Sequence, residues 1–257
     1  MPTLSPLAEF LDAALNITAI PDYPNAVNGV QLANTGEIQR IATAVDFSSD
    51  AVTGAISAGA GLLLVHHGMF WSGVQSIVGT RRERLHALLS HNIAVYSAHL
   101  PLDVHPTLGN NALLAKRLGL EPSGGFAKYQ TIDVGLSGVA SIPTHVLAAR
   151  AEALANEHRG TLVTTPFKTD RMTRRWGVCT GAGADSSTLR EASERGLDTL
   201  IVGEGPHYTA VEARELGIVI LYVGHYATET LGVRALGEAL AAHFDMTSTF
   251  VDAPTGL

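Results

Sequence analysis

Two histidines stand side by side at the end of an apolar run, LLLVHH at residues 62–67. His99 is followed four residues later by Asp103, and His225 four residues later by Glu229. A lone histidine at a strand end is ordinarily a hydrogen-bonded structural residue. A recurring histidine–carboxylate pattern points instead to metal ligation. Imidazole mixed with carboxylate suits borderline divalent cations: Zn, Mn, Fe, Co or Ni. His66, His67, His99, Asp103, His225 and Glu229 offer more donors than one tetrahedral ion needs. They predict two divalent ions per chain, about 3.5–4 Å apart, with a carboxylate able to bridge them.

The elements that must position these residues repeat along the chain. A strand at 40–48, a helix at 49–61, a strand at 62–67, a helix at 81–92 and a strand at 93–99 lead into His99 and LPLD. A strand at 175–181, a helix at 185–196, a strand at 198–205, a helix at 209–217 and a strand at 218–225 lead into His225 and YATE. Each series is then followed by TLG, at 107–109 and 230–232, and a further amphipathic helix. Short apolar runs alternating with helical patterns predict an α/β fold with largely parallel strands. The expected architecture is two similar α/β domains, 1–124 and 125–257, with the turn-forming stretch EPSGG at 121–125 as their junction. Ligands of open parallel sheets bind beyond the carboxyl ends of the strands. A pseudo-twofold axis between the domains would therefore bring the two histidine–acid segments together. Neighbouring strand residues point to opposite faces; the strand is expected to break into a loop there, which lets His66 and His67 each take one metal.

Other histidines read as peripheral. His86, His91, His145, His158 and His243 fall in or beside helices and read as polar surface, and His105 reads as a residue able to orient a ligand. His207 and Glu204, in GEGPHY, occupy the second series' counterpart of the HHG corner and are the candidate proton carriers. VCTGAGADSS at 178–187 imitates a dinucleotide fingerprint with Ser186 in place of the third glycine. A tight glycine turn into a helix explains it as well, and such a turn can also hold an anion. Phe70 and Trp71 are either an aromatic wall for a base or packing residues.

Composition narrows the class. The chain is 46% hydrophobic and 16% charged, which argues against disorder. Its net charge is −7, and RRER at 81–84 is the densest basic cluster, too little for a nucleic-acid footprint. No apolar run approaches a membrane span. The single cysteine, Cys179, excludes a disulfide framework. Together with an N-terminus unlike a signal peptide, these features fit a cytoplasmic protein.

NAVNGVQL (25–32), LLVHHGMFW (63–71), AHLPLDVHPTLGNN (98–111) and VGHYATE (223–229) resemble the Nif-three-like dinuclear-metal hexameric family, also labelled type 2 homologues of GTP cyclohydrolase I. The resemblance covers nearly the whole chain, in the short form lacking an inserted domain. It implies two α/β domains of like topology, a toroidal homohexamer, and a metal pair held by His66, His67, Asp103, His225 and bridging Glu229. His99 also matches a family histidine, while GEGPHY matches less closely. Two functions stay open. One is a metal-dependent hydrolase acting on a purine nucleotide ring, a phosphoester or an amide. The other is a non-catalytic metal-binding or scaffolding hexamer.

Overall fold

A computed structural model describes residues 1–256. The chain opens with α1 (Leu4–Leu15), β1 (Gly29–Leu32), β2 (Arg40–Asp46), α2 (Ser49–Ser57), β3 (Leu62–His67), α3 (Gly79–Ser90) and β4 (Ala94–Ser97). It continues through α4 (Leu100–Asp103), α5 (Asn110–Leu118), β5 (Pro122–Tyr129), β6 (Ile132–Pro143), α6 (Thr144–Glu157) and β7 (Val163–Thr164). It ends with β8 (Met172–Cys179), α7 (Ser186–Glu194), β9 (Thr199–Val202), α8 (His207–Glu215), β10 (Val219–Tyr222), α9 (His225–Phe244) and β11 (Thr247–Phe250).

This is an α/β protein of two compact units. The first comprises Met1–Leu102 and Gly232–Ala253; the second comprises Asp103–Leu231 and a short piece from Pro254. These units differ from the sequential halves 1–124 and 125–257, because the end of the chain returns to the first sheet.

The first unit is a five-stranded sheet in the order β1-β4-β3-β2-β11. β11, β2, β3 and β4 are parallel, and β1 is the antiparallel edge. β3 is buried along its whole length, which explains its unbroken apolar run. α2 packs Ala51, Val52 and Ala55 inward, and the Ser48 hydroxyl caps it by accepting from Ala51 N–H at 3.0 Å.

The second unit is a six-stranded sheet in the order β5-β6-β8-β9-β10-β7. β8, β9 and β10 are parallel, and the remaining pairings are antiparallel. α7 starts at Asp185, whose carboxylate accepts from Thr188 N–H at 2.7 Å, and stops at Gly196 with φ +64°.

Three expectations change. The EPSGG stretch is no junction: Pro122–Gly125 open edge strand β5 and pair with β6. Proline is tolerated at the start of an edge strand, and a Cβ at Gly125 would lie 2.4 Å from Asp133 Oδ2, so that glycine serves close approach. His225 does not end a strand. β10 stops at Tyr222, Gly224 breaks it with φ +113°, and His225 opens α9. The second TLG, at 230–232, consequently lies inside α9, whereas the first precedes α5. His158 does not lie on the surface: it is buried, with its ring edge-on to Tyr226 and Nε2 3.3 Å from Thr230 Oγ1. Among the described residues no helix is long and apolar enough to cross a membrane.

Candidate metal centre

In the first unit, His66, His67 and His99 converge. One ring nitrogen from each lies within 4.8 Å of the others, and all three residues are buried. Strand register assembles them: β3 runs through His67, so the two histidines lie on the strand and not on the loop expected there. Parallel pairing sets Asp46, the last residue of β2, beside His67, the last residue of β3. His99 follows the end of β4, where its N–H donates to Asn28 Oδ1 at 2.7 Å.

Each of these rings is oriented through Nδ1. His66 Nδ1 lies 2.8 Å from the Ala98 carbonyl oxygen, His67 Nδ1 2.8 Å from Asp46 Oδ1, and His99 Nδ1 2.8 Å from Asp22 Oδ1. A carbonyl or carboxylate only accepts, so Nδ1 carries the proton in each of these contacts. This outer partner is the arrangement that fixes tautomer and ring plane in metal-ligating histidines. Burial alone would push the Asp22 carboxyl up, but His99, the Asn28 amide and the Tyr23 N–H bond to it and hold it below its ordinary value. The second Asp22 oxygen also accepts from Leu100 N–H at 2.9 Å, which ties the start of α4 to the same carboxylate.

The second unit has candidate donors of its own, Asp103, His225 and Glu229, mainly oxygen. Asp103 is buried, and its Oδ1 accepts from Asn110 Nδ2 at 2.8 Å and Thr180 Oγ1 at 3.3 Å. Asn111 reinforces that corner, accepting from Thr180 N–H at 2.9 Å and donating to the Val134 carbonyl at 2.9 Å. In the first turn of α9, His225 Nε2 lies 3.1 Å from Glu229 Oε2, and His225 Nδ1 lies 2.7 Å from Glu204 Oε1. Burial would lower the His225 pKa, but the Glu229 and Glu204 carboxylates outweigh it and push it up to about 9. A histidine nitrogen and a carboxylate oxygen thus face each other at 3.1 Å. The same pair, deprotonated, offers two donors to one cation.

The glycine-rich stretch after β8 has its explanation here. A Cβ at Gly181, φ +62°, would lie 2.1 Å from Glu229 Oε1 and 3.3 Å from His225 Nε2. Gly181 N–H donates to Thr228 Oγ1 at 3.1 Å. The turn is shaped to admit a carboxylate of its own chain. Glu204 likewise bonds His225, where a dinucleotide reading would have given it a ribose.

His207 is exposed at the start of α8, and Glu204 is the partner of His225. His105 Nδ1 accepts from Thr107 N–H at 3.2 Å and Leu108 N–H at 3.0 Å, so it braces its own turn ahead of α5. Phe70 is half-buried, and Trp71 packs its ring against His67 and His99, with centroids 4.8 and 4.4 Å away. Asp22, Asp46, Asn110 and Thr180 escaped sequence reasoning. A signal existed for Asp46 alone, as the polar end of the strand preceding LLLVHH.

The chemistry of the donor set fits divalent cations: imidazoles oriented through Nδ1, and buried carboxylates. Comparison with known proteins agrees with this fold. The Duf34/NIF3 (NGG1p interacting factor 3) family model matches residues 2–255. A Pyrococcus abyssi relative named GTP cyclohydrolase 1 type 2 homolog is 40% identical over 251 residues, 98% of each chain. One of the same name from Deinococcus radiodurans is 36% identical, covering 98% of this chain and 93% of its own. The solved structure of protein ybgI, described as of unknown function, superposes with a TM-score of 0.89 at 35% identity over the whole of both chains. A crystal structure of a Thermus thermophilus protein does so at 0.83 and 30%, again over both whole chains. By sequence and by fold, the chain belongs to the Duf34/NIF3 family.

Proposed function

We propose that the protein binds two divalent metal ions, through His66, His67, His99, Asp103, His225 and Glu229, and that it is a metal-dependent hydrolase. The observation that carries the metal reading is the shared mounting of His66, His67, His99 and His225, each with Nδ1 held by an oxygen acceptor. Four independent acceptors from separate segments serve one purpose, presenting Nε2. Asp103 and Glu229, both buried, add negative charge that a buried position tolerates best beside a cation. A metal pair at such a site lowers the pKa of bound water and polarises a C=N, carbonyl or phosphoryl group. Asp22, Asp46 and Glu204 orient the imidazoles, and Asn110 and Thr180 orient Asp103. The names of the relatives favour a purine nucleotide as substrate.

A second reading, metal binding without turnover, is favoured by one observation. Glu204 is occupied in holding His225 and His207 faces solvent, so neither candidate proton carrier stands ready for a substrate. The proposed assembly in either case is a homohexamer, which light scattering would report as about six times the 27.0 kDa chain mass.

Elemental analysis of protein purified without chelator or histidine tag tests the proposal. The expected result is near two equivalents per chain, lost in a His67→Ala, Glu229→Ala double variant. Protein that neither carries nor takes up Zn, Mn or Fe would overturn it. Metal-loaded protein assayed against GTP, phosphoesters and amides then separates the readings, because turnover abolished in the double variant requires the hydrolase.

A further inference from the structure

We infer that Tyr23 and Trp71 form a stacking surface for the planar heteroaromatic ring of a ligand at the metal centre, an inference that rests on the metal-binding reading above. Both side chains are large aromatics left open to solvent, Tyr23 at 49% and Trp71 at 36%. Both lean on candidate ligands. The Trp71 ring is 4.4 Å from His99 and 4.8 Å from His67, and the Tyr23 ring is 6.0 Å from His99. The two aromatics meet edge to face, 6.4 Å apart at 88°. Two part-exposed rings at right angles, beside the imidazoles of His67 and His99, make a corner that a flat molecule can enter.

The frame beneath them is built rather than loose. Tyr23 directly follows Asp22, whose carboxylate holds His99, and its own N–H donates to that carboxylate at 2.7 Å. Gln31 joins the two aromatic-bearing segments. Its amide donates to the Ala26 and Val27 carbonyls at 3.0 and 2.9 Å, and its Oε1 accepts from Met69 N–H at 2.6 Å. Gly68 makes room for it, since a Cβ there would lie 2.3 Å from Gln31 Nε2. Val27 holds φ +43°, a strained conformation for a β-branched residue, and such strain persists where the surroundings over-determine it. A preorganised aromatic face binds a ring without first paying to order itself.

Charge selects the class of ligand. Residues 21–31 and 66–80 contain no lysine or arginine of their own, and the next cation in the chain, Arg81, donates to Gln75 Oε1 at 3.1 Å. What they offer is π surface, which accepts any planar base or pterin-like ring.

The test is titration of metal-loaded protein with guanosine, adenosine and neopterin, and with ribose 5-phosphate as the ring-free control. Binding is read by calorimetry and by tryptophan fluorescence. Trp176, the other tryptophan, is fully buried, so quenching by a ring reports Trp71. At least one ring probe is expected to bind and quench where ribose 5-phosphate does not. Trp71→Ala should weaken that binding about tenfold or more and Tyr23→Ala by less, while Trp71→Phe retains most of it. Metal content, measured on every sample, should stay at the wild-type level. If Trp71→Ala sheds metal, Trp71→Phe and Tyr23→Ala carry the comparison. Ring probes that fail to bind, or that bind a metal-retaining Tyr23→Ala, Trp71→Ala variant as tightly as wild type, would overturn this inference alone. Wild-type protein unable to hold metal would overturn both.

Discussion

The two units repeat one sheet plan and carry different donor sets. In each, parallel strands (β2-β3-β4 and β8-β9-β10) carry an antiparallel edge strand, β1 or β7, beside the last of them. The loop ends of equivalent strands hold the polar residues, yet with roles exchanged. The middle strand of the first unit ends in ligand-type histidines, His66 and His67, and the carboxylate supports of this cluster come from elsewhere, Asp46 and Asp22. The middle strand of the second unit leads into Gly203 and the support itself, Glu204, with the histidine on a helix. The candidate donors of the first unit are therefore nitrogens, and those of the second are mostly oxygens. One scaffold can serve either part because a strand end fixes a position and leaves the side chain free to vary.

Removing the supports is the strongest way to test that exchange. Asp22→Ala, Asp46→Ala and Glu204→Ala should each weaken metal affinity, by about 10–100-fold in a chelator competition. Asp22 should lie at the top of that range. Its side chain is 7% exposed, against 39% for Asp46 and 43% for Glu204, and it also anchors Asn28 and Leu100. Unchanged affinity in all three would mean that the rings hold their own orientation. A smaller effect follows from Gly181→Ala. The added methyl meets Glu229 and forces a left-handed alanine, so destabilisation of about 1–3 kcal/mol is expected by urea unfolding, together with weaker metal binding. The equivalent turn of the first unit, after β2, has no such glycine.

The smallest effect compares the equivalent helices α2 and α7, one capped by a hydroxyl and the other by a carboxylate. Ser48→Ala and Asp185→Ala should each cost about 1 kcal/mol near neutral pH. Burial would raise the Asp185 carboxyl, but the Ser187 hydroxyl and the Thr188 N–H bond to it and lower it. A carboxyl depressed by folding stabilises fully above its unfolded pKa, and loses that contribution as pH falls through its folded pKa. The Asp185→Ala difference should therefore shrink below the usual carboxylate range, while the Ser48→Ala difference stays flat. Parallel pH profiles for the two variants would refute the assignment.

What was legible in the sequence divides along similar lines. β2, β3, β4, β8, β9 and β10 were readable because buried parallel strands are local apolar runs. So were the histidines and acids, through a repeated spacing. The supports were not. Asp46 reaches His67 through cross-strand register, and Asp22 reaches His99 across 77 residues of chain, contacts that leave no local trace. EPSGG misled because proline and glycine mark edge strands as well as turns. The helical start at His225 was hidden by the strand-like run before it, since only the backbone angle at Gly224 separates the two.

The first sheet is also completed late. β11 is its parallel edge beside β2, Val251 fills the space at Gly54, and Gly237 lets α9 approach Thr43. Between Leu102 and Gly232 the ribosome must make the whole of residues 103–231, which takes on the order of ten seconds. Through that interval β2 is an unprotected edge on the sheet that carries His66, His67 and His99. The nascent chain is then most open to mispairing with a neighbour on the same message. The last strand to be made is the one that ends the exposure, and a chain cut short before Thr247 never leaves that state.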